Sequence, residues 1–458
     1  MPNKRPNIVF LFSDQQRWDT VSCYGAPPGA PFGLTPNIDR LAAEGVRFDL
    51  AMTCQPVCGP ARACLMTGLY PEGIGCGVND RALPPGLPTI ADHLHGAGYE
   101  TAYVGKWHLA SNRSFESPPP PDAADYKTKP VPPQRRGGWR DYWMAADVLE
   151  FTSHGYGGYV FDGEGRRVDF DGYRADFLAD RAIDFIRRAR DAEKSSSREE
   201  RKPFCLFVSW LEPHYQNDRG HCEAPAGWRE RYEDYVIPGD LVGTGGDWRK
   251  EMPDYLACCR SLDENVGRIA SALKEEGLYE NTLVVYTSDH GCHFRTRNSE
   301  YKRSAHDASL HVPLVIRGPG FQEGAAVDQL TSLVDLPPTI LEAAGVPIPA
   351  AFPGHPLQTL ATRPDEPIRD EVYVQISEAG EGRAVRTKTH TYCAMRDGAV
   401  LREAYVYDNL ADVHQRRNLA GLGAYAEVRE ALRQRLETAI LREEGSPLSV
   451  LPRAESEC

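Results

Sequence analysis

Four short apolar segments each end in residues that can do chemistry. Ser13-Asp14-Gln15 follows Ile8 to Phe12, and Gly105-Lys106-Trp107-His108 follows Glu100 to Val104. Leu211-Glu212-Pro213-His214 follows Phe204 to Trp210, and Ser288-Asp289-His290-Gly291 follows Thr282 to Thr287. Asp14, Gln15, Asp289 and His290 offer mostly hard oxygen donors plus one nitrogen, a set suited to Ca²⁺, Mg²⁺ or Mn²⁺ rather than to a thiophilic ion. A single strand-end Asp is more often a cap or turn residue, and a single His an ordinary loop residue. The joint pattern at four ends is what points to a site.

The sharpest local pattern is Cys58-Gly59-Pro60-Ala61-Arg62-Ala63-Cys64-Leu65-Met66-Thr67-Gly68. Pro60 suits the first turn of a helix, which puts Cys58 near a helix N-terminus. There the macrodipole and Arg62, one turn on, favour negative charge. The alternative is a buried structural cysteine with Arg62 in a salt bridge. Cys58 and Arg62 are too close for the Cys-x₅-Arg loop of thiol phosphatases, and no Cys-x₂-Cys meets a second pair to form a zinc site.

The elements that must carry these groups alternate. The apolar runs, joined by Val312 to Ile316, fit strands buried on both faces, as in a parallel sheet. Helical patterns cover Pro36 to Glu44 with Thr35 as N-cap, Leu87 to Ala97, Tyr173 to Arg190 and Tyr255 to Glu276. The expected fold is α/β, a mainly parallel sheet flanked by helices. Such sheets bind ligands beyond the carboxyl ends of their strands, so the four ends should share one rim. Asn112 to Arg140, rich in Pro and Gly, reads as a long irregular insertion of the kind that walls a substrate. Lys194 to Lys202 reads as a charged surface connector. A Pro-rich stretch from Pro349 to Pro367 divides an α/β domain over 1–360 from a smaller α+β domain over 361–458. The latter should hold an antiparallel sheet (Glu371 to Ile376, Ala384 to Ala394, Ala404 to Tyr407) and a helix over Tyr425 to Arg442.

The chain has 458 residues, 41% hydrophobic and 26% charged, enough for two unequal globular domains. Its 52 basic and 65 acidic residues give a net charge of −13, which argues against general affinity for nucleic acid. A local pocket can still be basic and accept an anion. No apolar run approaches the roughly 20 residues of a membrane span. Twelve cysteines without a repeated spacing suggest reduced thiols and a cytoplasmic setting. Ile8 to Phe12 is too short for a secretory h-region, so the expectation is cytoplasmic, or periplasmic if a leader has been removed.

The run from Cys58 to Gly68 resembles the signature of the type I, formylglycine-dependent sulfatases of the alkaline phosphatase superfamily. That signature is Cys-x-Pro-x-Arg followed by Leu-Thr-Gly; here Met66 stands where Leu is usual and Ala61 where Ser is commoner. The resemblance extends over Pro6 to Asp14, Thr35-Pro36-Asn37-Ile38-Asp39, Gly105-Lys106, Ser288 to Gly291, and Lys302 leading to Val312-Pro313-Leu314. The tail from Val406 to Leu410 and on to Asn418-Leu419-Ala420 looks like the family's C-terminal hairpin.

The resemblance implies an alkaline-phosphatase-like fold and a sulfuric ester hydrolase acting on a small-molecule or oligosaccharide sulfate ester. It implies that a formylglycine-generating or sulfatase-maturating enzyme converts Cys58 to formylglycine (3-oxoalanine), whose hydrate is the nucleophile. Asp14, Gln15, Asp289 and His290 would hold one divalent cation, Ca²⁺ first; Gln15, in place of the commoner second Asp, keeps Mg²⁺ and Mn²⁺ open. Arg62 would orient the diol, and Lys106 and Lys302 would neutralise the sulfate oxygens. His108 would take the proton that triggers elimination, His214 would protonate the leaving alcohol, and Asn79 would line the sulfate pocket.

Beyond the resemblance, His306, four residues after Lys302, either shares a helical face with it and touches substrate or lies at the surface. Trp107, Trp139, Tyr142, Trp143, Tyr156 and Tyr159 either stack on a sugar ring or pack. The substrate walls are read as Asn112 to Phe170 and the C-terminal domain. Two other functions compete: a phosphonate monoester or phosphodiester hydrolase on the same scaffold, and a binding protein in which Cys58 stays a thiol. Retention of nearly every expected polar position argues against the second.

Overall fold

Every residue from Asn7 to Asp14 is buried, as a run apolar on both sides requires when a strand lies between two helical layers. The computed structural model describes residues 5–25, 33–113, 123–195, 202–322 and 324–453. Its strands are β1 (Asn7–Asp14), β2 (Val46–Met52), β3 (Glu100–Lys106), β4 (Tyr142–Ala146), β5 (Tyr156–Asp162), β6 (Arg167–Tyr173), β7 (Phe204–Pro213), β8 (Thr282–Ser288), β9 (Leu314–Arg317) and β10 (Ala325–Ser332). They form one sheet in the order β10-β2-β9-β8-β1-β7-β3-β4-β5-β6. The run β8-β1-β7-β3-β4 is parallel throughout. β9 runs antiparallel to both its neighbours, and β5 and β6 close the far edge as a hairpin.

The helices are α1 (Pro36–Ala43), α2 (Cys58–Thr67), α3 (Ile90–Gly96), α4 (Arg174–Ser195), α5 (Trp248–Glu275), α6 (Asp307–Leu310), α7 (Leu336–Ala343), α8 (Gln358–Thr362) and α9 (Ala426–Glu444). Side chains along β1 alternate between two layers. Ile8, Phe10 and Phe12 pack with α2, α3 and α7, whereas Val9 and Leu11 pack with α1, α4 and α5. Among the described residues no helix is long and apolar enough to cross a membrane, and the eleven cysteines are all free thiols.

A second sheet, β11 (Glu371–Ile376), β12 (Gly382–Thr387), β13 (His390–Asp397), β14 (Val400–Asp408) and β15 (Val450–Leu451), follows in chain order. It packs one face on α9 and the other on Met52, Leu310 and Leu330 of the first body.

Several elements differ from the sequence reading. Ala384 to Ala394 is two strands, split by the turn at Lys388-Thr389. α5 begins at Trp248, two turns before Tyr255, and accommodates Pro253 near its start. Thr35 precedes α1 but does not cap it; Asp263 of α5 accepts from the Asn37 and Ile38 amides instead, at 2.9 and 2.8 Å. α3 starts after Pro88, with Thr89 and Asp92 forming a reciprocal capping box. The described part of Asn112 to Arg140 is irregular apart from a turn at Pro133–Arg135; Pro118 to Pro121 and most of the Lys194 to Lys202 connector lie outside the described residues.

Candidate active site

Because β8, β1, β7 and β3 are consecutive in the sheet, their carboxyl ends bring Ser288-Asp289-His290, Asp14-Gln15, His214 and Lys106 to one place. The local backbone makes room for this. β3 and β7 approach so closely that Gly105, at φ +105°, would place a Cβ 1.9 Å from the Ser209 carbonyl oxygen. Gln15 and His108 both take left-handed conformations, at φ +67° and +60°, uncommon for residues with side chains and typical of built sites.

Cys58 opens α2 directly over these ends. Its Sγ lies 2.8 Å from Lys302 Nζ, 3.3 Å from His290 Nε2 and 3.4 Å from Asp14 Oδ1. Donor atoms of Asp14, Cys58, Asp289 and His290 all fall within 4.8 Å of one another. His290 Nδ1 lies 2.9 Å from the Gly291 carbonyl, which fixes the proton there and turns the Nε2 lone pair toward the cluster. Two buried carboxylates and an imidazole nitrogen fit a hard divalent cation. Burial first, and then the neighbouring Asp14 charge, push the Asp289 carboxyl up, so a cation between the two would relieve a strain the protein alone leaves in place. Gln15 joins through its main chain: its N–H donates to Asp289 Oδ1 at 2.9 Å, while its side-chain Nε2 faces Cys292 Sγ at 3.7 Å.

Three cations surround the cluster. Arg62 donates to Asp14 Oδ2 at 3.0 Å, to Ser209 Oγ at 2.7 Å and to the Lys106 carbonyl at 3.0 Å. Lys106 Nζ donates to Asp14 Oδ2 at 2.8 Å and to Glu150 Oε1 at 3.0 Å. Burial opposes the Asp14 charge, but Lys106, Arg62 and Lys302 together hold its carboxyl well below the usual range. Glu150 is likewise held down at about 2, with Lys106 overcoming its burial.

Of the two sequence readings of this turn, the salt-bridged Arg62 is the one seen, since it pairs with Asp14 and Asp289. Arg62 is directed at Asp14 and Ser209, and burial together with Asp14 pushes the Cys58 thiol up to about 12 against Lys302 and Lys106. His214 Nδ1 lies 2.6 Å from the Tyr215 carbonyl and its Nε2 lies 3.3 Å from Lys302 Nζ; burial and Lys302 hold it down at about 3, so it is neutral at rest. His108 is also held well below its ordinary value by burial, then by Lys106, and its Nδ1 is buried without a partner.

Asn79 Oδ1 accepts from the Gly59 amide in the first turn of α2 at 2.9 Å, and its Nδ2 donates to Glu378 Oε2 at 3.3 Å. His306 is not on a helical face with Lys302: it is the residue before α6 and is buried against the second sheet, stacked on Tyr405 at 4.6 Å and 3.2 Å from Tyr407 Oη. Of the aromatic group, Trp107, Trp139 and Trp143 are core residues packed around Tyr103, whereas Tyr156 is 52% exposed.

Three contacts lay outside the sequence reading. Ser209 sits inside an apolar run, Glu150 lies in a turn after β4, and Glu378 follows β11 in the second sheet. Glu150 and Glu378 carry no local signal, since each becomes a partner only through tertiary contact.

The profile of the sulfatase family matches residues 6–346, and one described as N-sulphoglucosamine sulphohydrolase, C-terminal, matches residues 299–442. The chain is 30% identical over 453 residues to the ulvan-active sulfatase of Formosa agariphila, covering 94% of this chain and 80% of that one. It is 26% identical over 517 residues to the N-acetylglucosamine-6-O-sulfatase of Bacteroides thetaiotaomicron, covering 95% and 86%. The solved structure of yidJ from Bacteroides fragilis superposes with a TM-score of 0.83 at 26% identity, covering 97% of both chains. The phosphonate monoester hydrolase of Silicibacter pomeroyi shares the fold at 22% identity, with a TM-score of 0.69 and 96% of both chains covered.

Proposed function

The chain belongs to the sulfatase family, and we propose that it hydrolyses a sulfate ester carried on a saccharide, with Cys58, once converted to formylglycine, as nucleophile beside one divalent cation, Ca²⁺ in the first place. The observation that carries this reading is the convergence on Cys58 Sγ of Lys302 Nζ, His290 Nε2 and Asp14 Oδ1, all within 3.4 Å. The saccharide class is supported by the relatives, one active on ulvan and one on N-acetylglucosamine 6-O-sulfate.

The sulfur of Cys58 stands where a hydroxyl of the hydrated aldehyde would lie. Burial and Asp14 push the unmodified thiol up, and a plain thiol lacks the second hydroxyl that the release step needs, so the reading includes conversion by a maturating enzyme. When present, the hydrated aldehyde supplies one hydroxyl for attack and a second whose deprotonation releases sulfate, and the cation supplies positive charge at the attacked ester. In this reading Asp14, Gln15, Asp289 and His290 hold the cation, and the Gln15 main-chain N–H also fixes Asp289. Lys106 and Lys302 receive the sulfate oxygens, and Arg62 keeps Asp14 and the start of α2 in register. Asn79 steadies the first turn of α2 beside the sulfate. His108, neutral with a free Nδ1, is the base for the release step. His214 is neutral while Lys302 faces it; sulfate oxygens drawing on the Lys302 charge would raise its basicity, so that it would take the proton given up by the attacking hydroxyl and pass it to the leaving alcohol.

The test is turnover of a panel of sulfated mono- and oligosaccharides beside a phenyl phosphonate ester, before and after chelation. The reading predicts faster sulfate than phosphonate hydrolysis, loss on chelation, rescue by Ca²⁺ and a higher Tm with Ca²⁺ bound. Faster phosphonate hydrolysis would overturn the substrate assignment, and indifference of both rate and Tm to chelation would overturn the cation.

A further inference from the structure

A groove of about 450 Å³ opens beside the reaction centre, between the segment Glu150 to Tyr159 and the loop after β7. Resting on the reading of the site as a saccharide sulfatase, we propose that this groove is a subsite for a second sugar ring, so that the substrate is an oligosaccharide and not a monosaccharide ester.

Three observations carry it. The first is continuity. Glu150 lines the groove, and its Oε1 is 3.0 Å from Lys106 Nζ, which is 2.8 Å from Asp14 Oδ2. Asp218 also lines the groove and accepts from Gln216 Nε2, whose other partner is the Glu150 carbonyl.

The second is aromatic surface left open to solvent, although Lys127 Nζ lies 5.1 Å from the Phe151 ring and Arg167 Cζ lies 3.7 Å from the Tyr159 ring. Phe151 is 56% exposed and Tyr156 is 52% exposed, whereas Trp107, Trp139 and Trp143 are fully enclosed. Tyr156 is held in place: its ring lies 5.3 Å from that of Tyr173, and its hydroxyl accepts from the Ala226 amide at 3.0 Å. Rigid, half-open rings are the surface on which the apolar face of a sugar stacks.

The third is the backbone that aims them. Tyr156 and Tyr159 are three apart on β5, so strict alternation would put them on opposite faces. The pairing of β5 with β6 shifts register between Tyr156 and Gly158, and both tyrosines line the groove. Gly158, at φ +143°, would place a Cβ 2.4 Å from Ser153, so the bend depends on glycine. Polar partners for hydroxyls stand beside the rings. His154 Nε2 is 2.8 Å from Asp218 Oδ2, and Gln216 Nε2 donates to Asp218 Oδ1 at 2.9 Å and to the Glu150 carbonyl at 3.1 Å.

The experiment compares kcat/KM for sulfated tetrasaccharides and monosaccharides prepared from ulvan, chondroitin sulfate and heparin, using the full, matured enzyme. The proposal predicts that the tetrasaccharide-to-monosaccharide ratio exceeds one for the best substrate. It falls about tenfold in Phe151→Ala and Tyr156→Ala, mostly through KM, and is retained in Tyr156→Phe, which keeps the ring. A ratio unchanged by the alanine variants, or an equal loss on both chain lengths, would overturn the subsite. Wild-type enzyme that cleaves sulfated monosaccharides but shows no chain-length preference would overturn it while leaving the sulfatase reading intact. No turnover of any sulfate ester would remove the reading beneath it, and the subsite too.

Discussion

Two buried charge clusters stand three residues apart in the chain, and they are built on opposite plans. Around Arg17 every donor is used. Nε and Nη2 reach Asp19 at 2.8 and 2.5 Å, Nη1 and Nη2 reach Asp240 at 3.0 and 2.8 Å, and Nη1 also donates to the Cys292 carbonyl at 2.9 Å. A guanidinium has five N–H donors, so this network is closed. Around Asp14 the accounting stays open: Arg62 Nε, His108 Nδ1 and Glu150 Oε2 are all buried without a partner. An unmatched buried polar atom costs free energy unless something outside the chain pairs with it. The closed cluster holds the loop after β1, and the open one leaves polar atoms without a side-chain partner around Asp14.

That contrast can be broken from either side. The largest effect is expected at the open cluster: Cys58→Ala should lower turnover by at least about 10⁴-fold while leaving Tm nearly unchanged, checked by initial rates and thermal unfolding. Lys302→Met removes the charge 2.8 Å from Cys58 Sγ and should cost about 10²–10³-fold in kcat, again with the fold intact. At the closed cluster the loss should appear in stability instead. Asp240→Asn leaves Arg17 short of charge in a buried place, and urea unfolding should register a loss of about 3–5 kcal/mol. A variant that lost turnover but kept full stability would place Arg17 with the open cluster.

The smallest effect lies outside both. His311 is stacked on Trp18 at 4.4 Å, and burial holds it down at about 4 despite Asp307 nearby. Between pH 6.5 and 4 the unfolded chain binds a proton there that the folded chain refuses, so stability falls as pH falls through that window. By pH 4 the loss from this residue amounts to about 3 kcal/mol at most, and His311→Gln should flatten that limb of a stability–pH curve. An unchanged slope would show that His311 is protonated in the fold.

The open cluster was legible in sequence to the extent that strand ends announce it. Asp14, Lys106, His214, Asp289 and His290 each follow an apolar run, and sheet order alone gathers them. Cys58 and Arg62 were legible through a helix start marked by Pro60. Glu150 and Glu378 were not, because each lies in a turn whose position depends on the packing of a neighbouring sheet. His306 was misplaced because spacing of four has meaning only within a helix, and Lys302 to His306 is not one. Tyr156 and Trp107 looked alike as aromatic residues near an insertion; only burial separates the exposed ring from the core ring.

The most direct test of the whole account is the chemical state of Cys58 in active enzyme. Peptide mass mapping of the tryptic fragment Phe48–Arg62 should find an aldehyde or its hydrate at Cys58 and an intact thiol at Cys54, with the aldehyde fraction rising in proportion to specific activity across preparations. Full activity in enzyme whose Cys58 is wholly a thiol would contradict it.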